Sequence, residues 1–404
     1  MIVRIAFKNI WRNRLRSWTL IIAIALGIFG GLAVVSTATG LTNMRQRNAI
    51  STYVSHIQIH DSNYLKYAGL EDLIANENEV VSYLGKSEKV NGVSARLRLE
   101  SFVQSAGGSS GIVLNGIHPE SEKQVTNLYT KLQDSNYLER YKRKSPILIS
   151  QRLADKLNAR IKTTLQVSFT GADEIPITGV FKVVDIFQTS NSLYDDLNAF
   201  VRLEDLQALS GVMGSHEIAI TLHDDDEVEG LKQELEIKFP THHIASWRGI
   251  APELGYADKM MGLVMTIFLI IIMLALAFGI VNTMLMAVLE RKKELGMLIS
   301  VGINKQKVFW MIVWESIFLA LIAGPIGIVA AYLGVNFFGT YGIDLSFAAK
   351  GLRSVGLEST LFPELDSNYY LIISILVVCT AILSCIYPAY KALKLNPAET
   401  IRTA

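Results

Sequence analysis

The chain has 404 residues, 50% of them hydrophobic, with a mean hydropathy of +0.32 and a formal net charge of +1. That length allows two or three domains. A charge so near balance excludes the broad basic field that gathers nucleic acid. The apolar residues concentrate in one run near the N-terminus and three near the C-terminus. The middle has the composition of an ordinary water-soluble domain, long enough to bury a core.

The first sixteen residues carry Arg4, Lys8, Arg12, Arg14 and Arg16 and no acid. Val3, Phe7, Ile10 and Trp11 fall on one helical face, which predicts an amphipathic helix over 1–16 lying on the inner leaflet. No charge follows from Ser17 to Met44. About 20 apolar residues, rising about 1.5 Å each, cross a hydrocarbon layer roughly 30 Å thick, so 17–40 reads as a first span. Its apolar run is longer than a signal-peptide core, and Ser36-Thr37-Ala38 is a poor cleavage site, so the span is expected to be retained.

Residues 41–259 form the soluble middle, with 23 Lys and Arg against 29 Asp and Glu. Alternation predicts strands at Val54–His60, Val93–Val103, Ser109–Ile117, Leu165–Phe169, Ile175–Phe187, Asn198–Leu203 and His216–Leu222. Helices are predicted at Asn76–Lys86, Glu204–Ser210 and Glu227–Phe239. A strand and a helix share Pro146–Leu157, and HHIASW closes a final strand–helix–strand unit. The fold class is therefore a membrane α-helical protein with a large α+β extracytoplasmic domain of two subdomains. Ser105–Gly111 is a Gly/Ser-rich tip that reads as a hairpin turn and is open to a partner.

Nothing in this middle spells catalysis, a cofactor or a metal. All seven histidines lie here, without zinc-type spacing. Gly85-Lys86-Ser87 has Val80 where a phosphate-binding loop needs glycine. No G-x-S-x-G elbow occurs. Asp224–Glu227 is acidic but lacks the spaced ligands and glycine of a calcium loop, and its charge suits a helix start.

A second span is predicted at 260–289, a cytoplasmic helix and loop at 290–307, a third span at 308–338, an outer loop at 339–366, a fourth span at 367–390 and a tail at 391–404. Lys and Arg cluster in 1–16, 290–307 and 391–404. Four spans put those regions on one side, the cytoplasm, and the large domain outside. Cys379 and Cys385 both fall in span four, so the outer domain has no disulfide. In ERKKELGMLISVGINKQK, Leu295, Leu298, Ile299 and Gly302 form one stripe of a short helix. Glu290 and Glu294 sit at its start and Gly302 at its end. Composition leaves open whether the inner leaflet or a cytosolic partner covers that stripe.

Several segments together resemble one family. They are Ala6-Phe7-Lys8-Asn9-Ile10-Trp11-Arg12-Asn13-Arg14, Ile280-Val281-Asn282-Thr283-Met284-Leu285-Met286, and Glu290-Arg291-Lys292-Lys293-Glu294-Leu295-Gly296 through Val301-Gly302. To these add Trp314-Glu315-Ser316, Gly324-Pro325-Ile326-Gly327, Tyr387-Pro388-Ala389-Tyr390-Lys391-Ala392, Asn396-Pro397-Ala398-Glu399 and Arg402. The chain resembles the permeases that include LolC and LolE, the membrane part of MacB and, more distantly, FtsX.

That resemblance implies a non-catalytic membrane subunit of a type VII ABC transporter in the bacterial inner membrane, with both termini cytoplasmic. ATP and Mg would be bound by a separate ABC ATPase, two copies per complex, and a second permease copy or paralogue would complete the assembly. Glu290, Arg291, Lys292, Glu294, Leu295, Leu298, Ile299 and Gly302 would form the ATPase-coupling segment. Among the span residues, Glu315 is the only charge and is expected to pair or snorkel near the cytoplasmic edge. Asn282 is expected to make an interhelical hydrogen bond, and Pro325 with nearby glycines to allow close packing or a bend. The short turn of Thr170, Gly171, Ala172, Asp173, Glu174 and Pro176 is the candidate contact for an outer partner. Three activities stay open: lipoprotein release, MacB-like efflux with a separate ATPase, and FtsX-like control of a cell-wall hydrolase. The outer partner is accordingly a carrier, an adaptor or a hydrolase.

Overall fold

A computed structural model describes residues 2–12, 14–64, 69–140, 145–171, 175–301, 303–354 and 357–393. In chain order the helices are α1 (Ile2–Arg12), α2 (Arg14–Ala49), α3 (Glu77–Leu84), α4 (Pro119–Val125), α5 (Gln151–Leu157), α6 (Ser192–Leu197) and α7 (Leu203–Ser210). They continue with α8 (Val228–Lys238), α9 (Trp247–Ile250), α10 (Pro252–Glu290), α11 (Lys292–Ser300), α12 (Lys305–Tyr341), α13 (Ala349–Ser354) and α14 (Ser367–Leu393). The strands are β1 (Ile57–Asp61), β2 (Val90–Gln104), β3 (Ser109–Ile117), β4 (Pro146–Ser150), β5 (Thr164–Thr170), β6 (Pro176–Phe187), β7 (Asn198–Arg202), β8 (Glu217–Leu222) and β9 (His242–Ser246), with a short pair β10 (Ile343–Asp344) and β11 (Thr360–Leu361). The chain divides into a helical unit, Met1–Thr42, Asp258–Asp344 and Thr360–Ala404, and a sheet unit, Asn43–Ala257 and Leu345–Ser359.

Among the described residues four helical stretches are long and apolar enough to cross a membrane: Arg14–Val54, Leu254–Glu290, Lys305–Tyr341 and Ser367–Leu393. The helical unit packs them through small residues. A Cβ on Gly327 of α12 would come within 2.9 Å of the Ala25 carbonyl oxygen of α2, so these two helices approach closely only because the side chain is absent. Gly324, one turn earlier, has open space instead. Ile24, Ile28 and Leu32 of α2 and Val377, Ala381 and Cys385 of α14 complete the buried seam.

In the sheet unit the strand order is β3-β7-β4-β6-β5-β2-β8-β1-β9, and β3 also pairs with β2. Six strands therefore close on themselves, which removes their exposed edges. The long β2 belongs to both halves. Its first part, Val90–Arg96, pairs with β8, and its second part pairs with β3 and β5. The closed half encloses Leu97, Leu114, Ile147, Leu165, Val183 and Val201. The open half packs Ile57, Ile59, Ile218 and Ile220 under α3 and α8. The two larger apolar clusters thus lie one in each half, smaller ones gather around Phe187 and Trp247, and one continuous sheet carries both halves.

Sequence and structure differ at several boundaries. The strand expected from Val54 begins at Ile57, because α2 runs to Ala49 and a π-helical turn follows over Ile50–Val54. Ser55, at φ 60°, breaks that turn. The helices α4 and α6 had no counterpart in the alternation pattern. Their signals were local: Pro119 at a first helical position, and Asn191 accepting from the Leu193 and Tyr194 amides. The outer loop is not free either. Lys131 pairs with Glu358 at 3.3 Å, and Ser190 donates to the same carboxylate, so Leu345–Ser359 docks on the sheet unit. The Gly/Ser tip is a packed turn. A Cβ on Gly108 would stand 2.5 Å from the Lys156 carbonyl oxygen at the end of α5.

Between the two cores lies a buried polar layer. Ser94 and Arg96 of β2, Gln58 and His60 of β1 and Glu217 of β8 are all buried. Arg96 donates to Glu122 of α4 at 2.7 and 3.0 Å and to Glu217 at 2.6 Å, while Arg98 donates to Glu217 at 2.8 Å. Burial pushes the Glu217 carboxyl up, but Arg96 and Arg98 outweigh it and hold the group at about 2. A depressed carboxyl stabilises the fold above its unfolded value of 4.5, and that contribution fades as pH falls toward 2. Glu217→Gln is expected to lower stability at neutral pH by about 2 kcal/mol, since Arg98 loses its carboxylate and Arg96 keeps only Glu122. Urea unfolding of the two chains between pH 7 and pH 3 tests this: the wild-type advantage is expected to shrink on acidification.

Candidate coupling site

The N-terminal helix α1 splits its apolar residues between two faces. Ala6 and Ile10 are buried in the helical core, while Val3, Phe7 and Trp11 are exposed along one stripe. The Phe7 ring meets the Phe318 ring edge-on at 5.6 Å. Ile10, expected on the lipid-facing stripe, turns inward.

The segment 290–307 is a short helix between two long ones. Glu290 is the last residue of α10, not the first of the next helix. Arg291 leaves helical geometry, and α11 begins at Lys292 with Glu294 in its first turn. Asn304 opens α12 by accepting from the Gln306 amide at 3.0 Å. Gly302 lies outside the described residues.

Three long helical segments converge on one carboxylate. Glu315 of α12 accepts from Arg16 of α2 at 3.1 Å and from Arg291 at 3.2 and 3.4 Å. All three side chains are nearly buried. Arg291 also donates to the Asn9 carbonyl of α1 at 3.3 Å, and Arg16 lies 4.0 Å from Glu290. On the surface above, Arg12 of α1 pairs with Glu294 of α11. A charge left alone among apolar helices is strongly unfavourable. Here each charge is met by another, and the pairs cross from α1 and α2 to the α10–α11 junction and α12. The spacing of basic residues had suggested topology. It had not suggested that Arg12 and Arg16 are the partners of Glu294 and Glu315.

The described part of the stripe assigned to docking packs largely on this chain's own helices. Leu295 is only 3% exposed and belongs to the helical core, and Leu298 and Ile299 pack against that core. Once inside, an i, i+3, i+4 stripe holds the helix to its own bundle rather than to a partner. The surface that α11 offers instead comprises Lys293, Glu294 and Met297, with Val301 just beyond its end and 85% exposed. Lys292 is half-buried. Such a mixed charged and apolar strip suits a docking contact.

The remaining expected residues lie elsewhere. Asn282 is exposed on α10, and among the described residues it makes no hydrogen bond. Pro325 is an exposed residue inside α12. Thr170 and Pro176 are opposite each other at the β5–β6 turn, and the Gly171 amide donates to the Ile175 carbonyl at 2.9 Å. Ala172, Asp173 and Glu174 lie outside the described residues. Among the described residues no three His, Cys, Asp or Glu side chains gather as a metal site needs. His56 instead meets Asp225 at 2.7 Å, and Asp224 caps its own turn.

Residues 17–238 match the MacB-like periplasmic core domain, and residues 266–397 match the FtsX-like permease C-terminal domain. The lipoprotein-releasing system transmembrane protein LolC of Haemophilus influenzae is 22% identical over 387 residues, which cover 94% of this chain and 92% of that one. An uncharacterized ABC transporter permease of Methanocaldococcus jannaschii is 24% identical over 425 residues, 99% and 97% of the two chains. The solved extracellular domain of the noncanonic ABC-type transporter YknZ aligns with a TM-score of 0.34 at 14% identity, covering 47% of this chain and 99% of that one.

Glu315→Leu is expected to lower the stability of the detergent-solubilised chain by about 3 kcal/mol, because Arg16 and Arg291 lose their counter-charge. Adding Arg16→Met and Arg291→Met is expected to restore most of it. Thermal unfolding followed by tryptophan fluorescence checks both. Equal melting of the single variant and the wild type would remove the ion cluster from the account.

Proposed function

This chain belongs to the ABC transporter permease family that joins a MacB-like periplasmic core domain to an FtsX-like permease C-terminal domain, and on that premise we propose that it is the membrane subunit of a type VII ABC transporter. In this reading four spans cross the bacterial inner membrane, with 1–16, 290–307 and 391–404 on the cytoplasmic side and 41–259 outside. The excess of Lys and Arg in the three cytoplasmic regions supports that orientation. A separate ATPase, two copies per complex, binds ATP and Mg, and this chain carries its motion to the outer domain. Two permease halves, identical or different, sit on the pair of ATPases.

The observation that carries the reading is the ion cluster at Glu315. It joins α12 to Arg16 of α2 and to Arg291 at the start of the coupling segment. A push on α11 therefore reaches α1, α2 and α12 together. Lipoprotein release from the inner membrane is the activity we favour, supported by the near-full-length likeness to LolC. The second reading is efflux in the manner of MacB with the ATPase on another chain. It is favoured by the shortness of the Thr170–Pro176 turn, which leaves little surface for recruiting an outer carrier.

Met297→Asp with Val301→Asp tests the docking strip. The variant is expected to insert normally and to lose at least tenfold of its association with the ATPase that co-purifies with the wild type, because a buried unpaired carboxylate costs several kcal/mol at an interface. Unchanged association would contradict the assigned face. Leu298→Asp is expected to lower stability as well, since Leu298 packs on the bundle.

A further inference from the structure

A cavity of about 290 Å³ lies in the sheet unit, where α2 ends. Arg45 and Asn48 of α2 line one side, and Asn191 and Leu193 at the start of α6 line another. The Tyr53 and Tyr194 rings stack within its lining at 5.0 Å. No acidic side chain lines it.

Its polar groups are donors in want of acceptors. Arg45 makes no ion pair or hydrogen bond among the described residues. The Asn48 amide nitrogen is buried and has no partner among the described residues. The Asn191 oxygen is already occupied by the Leu193 and Tyr194 amides, which leaves the amide nitrogen as its free end. Two carboxylates tied to segments that line the cavity are engaged. Glu358 is held by Lys131 and Ser190, and Asp195 accepts from Thr189 at 2.7 Å. A guanidinium with neutral donors and no competing acid suits an oxyanion with several acceptor oxygens.

Two further observations narrow the ligand. Leu193 and Leu197 are 69% and 53% exposed beside these donors, so an apolar ledge adjoins the cation. Arg45 is also the first charged residue after the charge-free run Ser17–Met44 of the same continuous helix. If 17–40 crosses the membrane, Arg45 stands five residues, or roughly 7.5 Å of helix, beyond the span. Lipid phosphates lie at that depth, and long basic side chains reach for them.

We propose that this cavity holds the phosphate of an anionic phospholipid of the outer leaflet, with the glycerol and first acyl carbons against Leu193 and Leu197. Arg45 supplies the charge, and Asn48 and Asn191 donate to the remaining oxygens. With its neighbouring carboxylates engaged, the site offers nothing to a choline or ethanolamine ammonium. The assignment rests on α2 as a span and is independent of which cargo the transporter handles.

Native mass spectrometry of the full chain in detergent tests it, with phosphatidylglycerol, phosphatidylcholine and glycerol 3-phosphate as probes. Wild type is expected to retain phosphatidylglycerol about tenfold more than phosphatidylcholine, and Arg45→Gln to lose about tenfold of it, the factor one charge-assisted contact supplies. Leu193→Ser with Leu197→Ser is expected to weaken lipid retention without touching any charge, so a misfolded Arg45 variant does not leave the question open. Arg47→Gln, two residues along the same helix, is expected to retain the lipid as wild type does. Equal phosphatidylglycerol on Arg45→Gln and wild type overturns the site. Displacement of the lipid by an equal concentration of glycerol 3-phosphate overturns the membrane source. Co-purification of an ATPase is unaffected by either result, so failure here is distinct from failure of the transporter reading.

Discussion

The helical unit depends on how one carboxylate is neutralised. Glu315 sits in an otherwise uncharged apolar stretch, and it is tolerable there because Arg16 and Arg291 reach it from two other segments. Stability alone does not demand such a cluster, since apolar residues of the same volume serve as well or better. What ions add is register. A guanidinium and a carboxylate bind in few geometries, whereas apolar helix faces slide. The cluster therefore fixes the α10–α11 junction against α2 and α12, and Arg291 ties the same point to α1 through the Asn9 carbonyl. A short helix braced at its base and packed along its inner side behaves as part of the bundle.

The sheet unit uses the same device in a different setting. Here β2 runs through both the closed and the open half, and the charged layer of Arg96, Arg98, Glu122 and Glu217 lies where the halves meet. Apolar cores on either side hold each half together, and the polar layer specifies how they join. Because Glu122 comes from α4, outside the strands, the layer also pins that helix to the sheet. A unit built this way is suited to moving as a body rather than flexing at its middle.

Much of this was legible in the sequence. Long charge-free runs and their flanking Lys and Arg residues are signals of composition, and such signals survive without knowledge of packing. Most strands were visible because their apolar and polar residues alternate. Other features were hidden for definite reasons. The apolar stripe of Leu295, Leu298 and Ile299 marks a helix face equally well whether that face meets a partner or its own bundle, and only the fold decides. HEIAITL was legible as a strand, but the burial of Glu217 was not, because its pairing with Arg96 and Arg98 depends on strands distant in sequence. Pairings such as Arg16 with Glu315, 299 residues apart, leave no local trace. The short capped helices α4 and α6 were within reach of cap chemistry, although too short to show a period.

The central claim is that force entering at the coupling segment reaches the outer domain through the Glu315 cluster. It is tested most directly by electron–electron distance measurement on the chain assembled with the proposed ATPase. Cys379 and Cys385 would be replaced, and nitroxides placed at Ala106 and Ser367. The account predicts a distance distribution that shifts between nucleotide-free and ATP-bound states in the otherwise native chain and stays fixed in Glu315→Leu while ATP is still bound. An identical ATP-driven shift in both chains would contradict it.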